Sequence, residues 1–339
     1  MKKNNLFEEN LFIAEIGVNH CGSLDYALKH IAEAKKVGFG AVKFQFIDIN
    51  RIWHKDANTK IKLSKKESFQ IDWFKPITDY AHSIGMLVGH TPTFQNASQI
   101  IKEYESDFIK IASPQAEFDK FILEEAIETN LPLVISNGYS NYNSSVELIN
   151  FLENSKLKNS NIAFLYCVAK YPADNIYFPY SEAKKIYKKC KEAKINIGFS
   201  DHYKSILPAL NLKTFGATVF EKHFSLDDVK SLDSEVSVTK ETAKEYIQQI
   251  KMASTKQTLK RESTFFKKEI IFSSNFFFRT NVKKNDLFSI SHFDRFRLGK
   301  PNSGLLTNSI RSIIANSKGN LHYSRDFYVG EILKEGDII

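Results

Sequence analysis

Two apolar segments of this chain each end in a histidine: residues 195–202 read INIGFSDH and residues 217–224 read ATVFEKHF. The apolar residues between them, from Ile206 to Leu212, fit one face of a helix. A strand–helix–strand unit of this kind brings both strand ends to the same edge of a parallel sheet. Imidazoles at that edge, from His202 and His223, can share a divalent metal ion. Taken singly, each histidine is more often an ordinary surface or core residue, so the interpretation depends on the pair.

The same alternation of strand and helix patterns runs through most of the chain. After the first strand, Ser23 is suited to cap a helix and Gly38 to end it. An open doubly wound sheet would also alternate, but eight crossovers over this length favour closure. We therefore expect the α/β class and a (β/α)8 TIM barrel. The strand candidates are Leu11–Ile16, Ala41–Gln45, Met86–Thr91, Phe108–Ser113, Pro132–Asn137, Ile162–Cys167, Ile195–Asp201 and Ala217–Phe224.

The pattern changes after about residue 259, where strand and turn signals replace the alternation. We expect the barrel to occupy residues 1–259, a linker residues 260–278, and a small, mostly β domain residues 279–339. Phe276–Thr280 and Leu287–Ile290 read as short strands near the start of that domain. Within the barrel, the connection from Phe46 to Phe69 is long and irregular, which is typical of a loop over the mouth.

Composition restricts the class of protein. With 339 residues, 42% hydrophobic and 25% charged, the chain is expected to be globular. No signal peptide and no transmembrane-length apolar run is evident, and the spacing of Cys21, Cys167 and Cys190 suits a reducing compartment. We expect a cytoplasmic protein with no membrane partner. The net charge of +8 invites an anion, but the lysines are interspersed with acids, so a small phosphate-bearing substrate is favoured over nucleic acid.

Polar side chains stand at the carboxyl ends of the strands, where a barrel collects its reactive groups. Lysine within a barrel strand is costly unless it meets an anion, so Lys43 and Lys110 predict a floor that binds phosphate or carboxylate. A structural ion pair with Glu15 remains an alternative for either lysine. The strand-end residues are Glu15, Asn19, His20, Lys43, Gln45, His90, Thr91, Lys110, Ser113, Ser136, Asn137, Cys167, Tyr171, Ser200, Asp201, His202, Glu221 and His223.

For several of these residues, a purely structural role is the alternative. Ser136 and Ser200 could equally cap helices. Cys167 fits a small core residue better than a reactive thiol. His20 could cap the first helix, and His90 could be a loop residue.

The strand-end motifs together resemble the sialic acid synthase family, which condenses phosphoenolpyruvate with an N-acylated hexosamine to make nonulosonic acids. The motifs are Ala14–His20 with Gly22-Ser23, Val42–Gln45, Thr91-Pro92, Lys110–Ser113, Ser136–Gly138, Tyr171-Pro172, Gly198–His202 and Glu221–Phe224. The tail is similar to the antifreeze-like (SAF) domain of such synthases. The resemblance implies a domain-swapped homodimer, in which one subunit's tail covers the barrel mouth of the other.

The resemblance also implies roles for individual residues. His202 and His223 would bind a divalent ion, usually Mn²⁺, with Mg²⁺ or Co²⁺ as alternatives. Glu15 and Asp233 would face the amino sugar, and Gln45 would contact substrate. The residues implied to hold phosphoenolpyruvate are Lys43, Thr91, Lys110, Ser113, Ser136, Tyr171 and Ser200.

The chain departs from the family pattern mainly on the sugar side. Gln115 replaces an acid, Ala169-Lys170 replaces an Asn or Ser before the Tyr-Pro pair, and Lys300 stands where an arginine is expected to reach the partner's sugar. A lysine cannot reproduce the bidentate fork of arginine. We expect Gln115 and Lys300 to contact the substrate, and these departures leave room for an acceptor other than N-acetylmannosamine.

The function predicted from the sequence is condensation of phosphoenolpyruvate with the open-chain aldehyde of an N-acylated hexosamine, N-acetylmannosamine or a related sugar, with release of phosphate. In this transferase, Glu15 would position the sugar or move a proton. One alternative is a Schiff-base aldolase or lyase with Lys43 or Lys110 as nucleophile. A non-catalytic sugar-binding paralogue is the other.

Overall fold

The computed structural model describes residues 6–7, 9–52, 66–173, 178–226, 229–253, 274–297, 310, 313–314, 321–334 and 336–339. Eight parallel strands close into a barrel in chain order, which confirms the predicted TIM barrel. They are β1 Leu11–Gly17, β2 Ala41–Phe46, β3 Leu87–Pro92, β4 Phe108–Ile111, β5 Leu133–Asn137, β6 Ile162–Cys167, β7 Asn196–Asp201 and β8 Val219–His223. Closure is made by β1 against β8, where Leu11 pairs with Val219 and Glu15 with His223.

Helices follow the strands around the outside of the barrel. The first begins and ends where predicted: the Ser23 side chain accepts a hydrogen bond from the Tyr26 amide, and Gly38 adopts φ 105°. The helices are α1 Leu24–Val37, α2 Ile49–Ile52, α3 Phe74–Ser83, α4 Ala97–Glu103, α5 Ser113–Phe118, α6 Lys120–Glu128, α7 Tyr142–Glu153, α8 Tyr180–Glu192, α9 Leu207–Thr214 and α10 Lys240–Met252. In the described residues, no helix is long and apolar enough to cross a membrane.

The barrel interior is apolar at the amino-terminal ends of the strands. Phe108 plugs this region and is fully buried. A Cβ atom at position 89 of the neighbouring strand β3 would lie 2.2 Å from the Phe108 ring, so only glycine fits at that position. The surrounding residues are Phe7, Leu11, Ile13, Ala41, Val134, Ala163, Leu165 and Val219. The polar residues at the opposite ends of the strands therefore lie above a packed apolar layer.

Two details of the barrel differ from prediction. Ser113 does not end β4, which stops at Ile111; it is the first residue of α5. The reason is Pro114, whose fixed φ suits the first turn of a helix. In the predicted mouth loop, Ile49–Ile52 forms α2, and residues 53–65 lie outside the described residues.

The C-terminal part is mostly β, as predicted. Strands β9 Ser274–Phe278 and β10 Phe293–Arg297 pair antiparallel, and an aromatic cluster that includes Phe278 and Tyr323 fills their core. The last five residues of the predicted linker form β9, so the sheet begins at Ser274, before the predicted start of the domain at residue 279. Leu287–Ile290 is not a strand either: Leu287 makes a single bridge to His322 before a 3-10 turn at Ile290–His292. Residues 254–273 lie outside the described residues.

Arg295 joins the C-terminal sheet to the barrel. Its guanidinium pairs with Asp119, at 2.9 Å, and with Glu125, while its backbone amide donates to the Gln95 side chain at 3.1 Å. Phe276 of β9 makes an edge contact with Phe121, with ring centroids 5.6 Å apart. Gln95 lies between β3 and α4, and Asp119 immediately precedes α6. Phe121 and Glu125 lie within α6, so the sheet packs against this helix and the β3–α4 connection.

Candidate active site

A cavity of about 310 Å³ opens at the carboxyl ends of the strands. We call it the site cavity. It brings together Glu15, Lys43, Gln45, Thr91, Lys110, Ser113, Gln115, Ser136, Tyr171, Ser200, His202, Glu221, His223 and Asp233. Every site residue predicted from the sequence therefore lines it, with the exception of Lys300, which lies outside the described residues. Strand alternation explains the convergence, since every second side chain near these strand ends faces inward.

Two buried lysines form the floor of the site cavity. Lys43 Nζ contacts the Glu15 carboxylate, lies 3.1 Å from Thr91 Oγ1, and is 3.5 Å from Glu221 Oε1. Lys110 Nζ lies 3.1 Å from Glu221 Oε2. Each lysine is 3% exposed. The predicted floor and the alternative ion pair are thus both present, because Lys43 lines the cavity and pairs with Glu15.

Glu221 connects the two lysines, and the sequence prediction assigned it no role. Its carboxylate also accepts a hydrogen bond from Ser200 Oγ at 2.7 Å, so Ser200 does not act as a helix cap. Burial by itself would raise the pKa of Glu221, but Lys110 and Lys43 outweigh it and hold the pKa below its ordinary value. Burial also lowers the pKa of Lys43 from 10.5 to about 7, although Glu221 opposes the shift. The signal in the sequence was the place of Glu221 near the end of β8, two residues before His223.

The two predicted metal ligands face each other across neighbouring strands. The ring centroids of His202 and His223 are 5.5 Å apart. His202 Nδ1 lies 2.9 Å from the Val168 carbonyl, which can only accept, so this nitrogen carries the hydrogen and Nε2 keeps its lone pair. Burial, followed by the neighbouring His223, lowers the pKa of His202 to about 3. His202 is therefore a neutral imidazole, the form that binds metals.

Asp233 approaches the histidine pair from the loop after β8. Its Oδ2 atom is 3.4 Å from His223 Nδ1, and both atoms are buried without a hydrogen-bond partner. Asn19 secures this loop, since its side chain donates to the Phe224 carbonyl at 2.8 Å and to Ser237 Oγ at 3.1 Å. Unpaired polar atoms of this kind are rare in folded proteins and indicate a ligand that completes them.

The donor set fits a divalent ion held by two imidazoles. In the described part of the chain, no group of three or more His, Cys, Asp or Glu side chains could hold a metal ion. A two-histidine site leaves coordination positions for water and substrate, as a catalytic metal requires. The unpaired His223 Nδ1 and the free lone pair of His202 are consistent with such a site.

Small polar groups line the wall beside Lys110. Ser136 Oγ and Gln115 Oε1 are buried without hydrogen-bond partners, which leaves both available to a ligand. Ser113 Oγ accepts from the Gly138 amide at 2.9 Å. Gln45 donates to Glu15 Oε1 at 3.1 Å and so orients that carboxylate.

Tyr171 and Cys167 flank His202. The Tyr171 ring lies over the imidazole, with centroids 4.0 Å apart. Cys167 Sγ is 3.7 Å from His202 Nδ1, so it lines the site as well as being buried. Burial raises the pKa of the Cys167 thiol to about 11, which keeps it protonated.

An apolar wall was missed by the sequence reasoning. Val18, Ile47, Ile52 and Leu232 also line the site cavity. Val18 lies within the Ala14–His20 motif, but like the other three residues it is apolar, and nothing in the sequence separates an apolar residue of a cavity wall from one of the core.

His20 and His90 belong to packing. His90 lies within β3 and not in a loop, and its Nδ1 atom is 2.8 Å from Ser106 Oγ. His20 Nδ1 accepts from the Gly22 amide at 3.1 Å. Both imidazoles contact Phe69 in a buried aromatic layer. Burial lowers the pKa of His20 to about 4 and that of His90 to about 3.

Comparison with known proteins agrees with this geometry. Pseudaminic acid synthase of Campylobacter jejuni is 26% identical over 344 residues, which cover 96% of this chain and 95% of that protein. N,N'-diacetyllegionaminic acid synthase of the same species is 29% identical over 302 residues, covering 83% and 88%. The crystal structure of spore coat polysaccharide biosynthesis protein SpsE from Bacillus subtilis has the same fold, with a TM-score of 0.79, 23% identity, and coverage of 98% and 95%.

The model of the NeuB family matches residues 30–262, which contain most of the barrel and both histidine motifs. Three of the relatives that cover the barrel are named as synthases, of pseudaminic acid, of N,N'-diacetyllegionaminic acid and, in Mus musculus, of N-acetylneuraminate-9-phosphate. With the paired histidines and the lysine floor in one cavity, the match leads to one conclusion: this chain belongs to the NeuB family.

Proposed function

We propose that this chain is a nonulosonic acid synthase, which condenses phosphoenolpyruvate with the open-chain aldehyde of an N-acylated hexosamine and releases phosphate. One observation carries the proposal: a single cavity holds the His202–His223 pair opposite the Lys43–Lys110 floor. Binding of the phosphoenolpyruvate anion needs cationic groups. Attack on the aldehyde needs a Lewis acid that polarises its carbonyl group. This cavity offers groups suited to both.

The anion side would use the lysines and the unpaired hydroxyl. Glu221 and Ser200 hold the two ammonium groups in place before substrate arrives. Preorganised charges of this kind cost little reorganisation when the anion binds. Ser136 Oγ, which has no partner, would donate to a phosphate or carboxylate oxygen.

The histidine side would hold the metal. His202 and His223 are the ligands, and Mn²⁺ is the expected ion, with Mg²⁺ or Co²⁺ as alternatives. When bound, the ion supplies Lewis-acid polarisation of the aldehyde oxygen. Asp233 and Gln115, whose buried oxygens lack partners, would accept hydrogen bonds from the sugar.

The reaction itself balances as follows. Carbon three of phosphoenolpyruvate bonds to the aldehyde carbon, and the aldehyde oxygen gains a proton to become a hydroxyl. Water adds at the cationic carbon two and gives up one proton, which balances the proton that the aldehyde oxygen gains. The carbon–oxygen bond to phosphate then breaks, phosphate leaves with the bonding electron pair, and the new hydroxyl gives its proton to the phosphate as carbon two becomes a ketone. Glu15, held by Gln45 and Lys43, is placed to orient the acceptor or to carry a proton.

The direct test measures phosphate release from phosphoenolpyruvate with and without an N-acylated hexosamine, with the product identified by mass spectrometry. Release should need both the acceptor and a divalent ion, and His202→Ala or His223→Ala should abolish it. His322→Ala, a half-buried histidine in the C-terminal sheet, is the matched control and should stay active. Full activity after exhaustive chelation, or in either active-site variant, would contradict the proposal.

The acceptor can be narrowed in the same assay. Gln115 is neutral where the family pattern has an acid, and the apolar residues Ile47 and Ile52 line the same cavity. We expect a less polar acceptor than N-acetylmannosamine, such as a diacetylated trideoxy-hexose. N-acetylmannosamine, its 6-phosphate and the trideoxy sugars should be compared side by side.

A Schiff-base aldolase is the second candidate, and one observation favours it: burial lowers the pKa of Lys43 to about 7, which increases its nucleophilic fraction. Against it, Lys43 Nζ already contacts the Glu15 carboxylate and Thr91. Borohydride reduction in the presence of pyruvate or a sugar, followed by peptide mass spectrometry, decides the matter. A trapped adduct on Lys43 would replace the synthase proposal.

The proposed assembly is a domain-swapped homodimer in which Lys300 of one subunit reaches the site of the other. Light scattering tests whether the protein is a dimer. An activity assay on a mixture of Lys300→Ala and His202→Ala subunits tests whether each site is shared between two subunits. Mixed dimers should regain activity at those sites that pair an intact barrel with an intact tail. A monomeric active enzyme would rule out this arrangement.

A further inference from the structure

A second buried charge network lies directly behind the two histidines. Asp201 precedes His202 and Lys222 precedes His223, and these two residues are register partners at the last pair between β7 and β8. They are 1% and 3% exposed. Neither lines the site cavity. Because side chains alternate along a strand, Asp201 and Lys222 face the surrounding helices while their neighbours face the barrel interior.

The contacts of this network join both histidine-bearing strands to α10. Asp201 Oδ1 accepts from the Tyr203 amide at 2.8 Å and lies 3.5 Å from Lys222 Nζ. Asp201 Oδ2 accepts from the Tyr246 hydroxyl of α10 at 2.9 Å. Lys222 Nζ also donates to the Tyr203 carbonyl and lies 5.8 Å from the Tyr246 ring centroid. Both carboxylate oxygens and the ammonium group are therefore satisfied.

A buried ion pair of this kind is poor evidence for stability. Removing two charges from water is costly, and replacing such a pair by apolar residues is often neutral or stabilising. The best attested use of buried charge is to specify one arrangement among near alternatives. Here the arrangement it specifies is the relative position of two strand ends, each of which continues into a histidine one residue later.

We propose that Asp201, Lys222 and Tyr246 are positioning residues that set the separation of the His202 and His223 imidazoles, and so set the affinity of the pair for a divalent ion. This inference rests on the metal site of the proposed function. Groups that orient metal ligands without touching the metal typically change metal affinity by about 10–100-fold when mutated. A shift of less than 1 Å between the rings is enough to spoil a shared ion.

The first test is Tyr246→Phe, which removes one hydrogen bond and keeps the buried ring. Tyr180→Phe is the matched control, because the Tyr180 hydroxyl only joins α8 to Asn211 of α9, at 3.1 Å. Mn²⁺ is titrated into each purified full-length protein, and free Mn²⁺ is followed by its paramagnetic resonance signal. We expect about 10-fold weaker binding in Tyr246→Phe and unchanged binding in the control, with similar melting temperatures.

The second test separates positioning from stability. The double variant Asp201→Leu/Lys222→Met replaces the charges by apolar side chains of similar size. Its melting temperature should fall by only a few degrees, because the Tyr203 amide and the Tyr246 hydroxyl lose their acceptor while two charges are no longer buried. Its Mn²⁺ affinity should fall by about 10–100-fold. If both Tyr246→Phe and the double variant bind Mn²⁺ as tightly as wild type, the inference is overturned.

Failure of the inference and failure of the proposed function are distinguishable. A wild-type protein that binds Mn²⁺ but releases no phosphate with any acceptor would refute the synthase proposal, while the titrations would still decide the positioning role. A wild-type protein that releases phosphate but gives equal Mn²⁺ affinities in all variants would refute the positioning role alone. A wild-type protein that binds no divalent ion would overturn both.

Discussion

Glu221→Gln tests the charge balance of the site cavity. The substitution keeps the shape of the side chain and its capacity to bond Ser200, but it removes the negative charge that lies 3.1 Å from Lys110 and 3.5 Å from Lys43. Lys43 then keeps its contact with the Glu15 carboxylate, whereas Lys110 loses the carboxylate with which it pairs. Breaking a buried ion pair by removing one partner costs about 3–5 kcal/mol, mostly because a charge is left buried and unpaired.

For a chain of 339 residues, an unfolding entropy of about 2.1 cal/mol/K per residue gives about 1.4 °C for each kcal/mol, so that loss corresponds to a fall in melting temperature of roughly 4–7 °C. Phosphoenolpyruvate should recover part of the loss, because its anionic groups would replace the missing carboxylate. At about 100 times its dissociation constant, a ligand contributes about 2.7 kcal/mol. The variant should therefore gain at least as much from phosphoenolpyruvate as wild type does.

The measurement is thermal and urea unfolding with and without phosphoenolpyruvate. Glu128→Gln is the matched control, since the Glu128–Lys156 pair is exposed and such pairs are worth about 1 kcal/mol or less. A loss of under about 1 kcal/mol in Glu221→Gln would refute the reasoning. So would a variant that gains nothing from phosphoenolpyruvate when wild type does.

Three further predictions follow from single contacts. Burial lowers the pKa of His20 from 6.5 to about 4, so at this site only the unfolded chain takes up a proton between these values; His20 should contribute about 3 kcal/mol to the loss of stability between about pH 6.5 and pH 4, to which the buried His90 and His202 also contribute. His20→Phe should reduce that loss by about the same 3 kcal/mol in a urea-unfolding profile. Ser136→Ala should leave the free energy of unfolding unchanged within about 0.5 kcal/mol, because Ser136 Oγ has no partner, yet it should raise the KM for phosphoenolpyruvate. Ser145→Ala, the control, loses hydrogen bonds with Asn137 and Asn141, so it should lower the free energy of unfolding and leave that KM unchanged. Arg295→Met should speed protease cleavage between the barrel and the C-terminal sheet, since it removes the buried ion pair to Asp119; cleavage at the wild-type rate would contradict a bracing role.

Periodicity and residue type were enough to predict the barrel and most of the site. Alternating apolar segments specified eight strands, and the end of each strand marked where polar groups collect. His202, His223, Lys43 and Lys110 could be chosen because they interrupt an apolar register. These signals are local, and local signals can be read along the chain.

The pairings inside the site depend on closure of the barrel. Glu221 reaches Lys110 and Lys43 only because strands far apart in the chain face the same interior, and Glu15 stands beside His223 only because β1 closes against β8. The start of β9 inside the supposed linker is likewise decided by its partner β10.

The sequence by itself determined which residues gather at one end of the barrel. Only the tertiary structure decided which of them pair and which of their atoms stay without a hydrogen-bond partner. It also decided that Asp201 and Lys222 form a buried ion pair behind the two histidines. The physical reason is that strand alternation sets the face on which a side chain lies, whereas its partners are set by contacts over long separations in the chain.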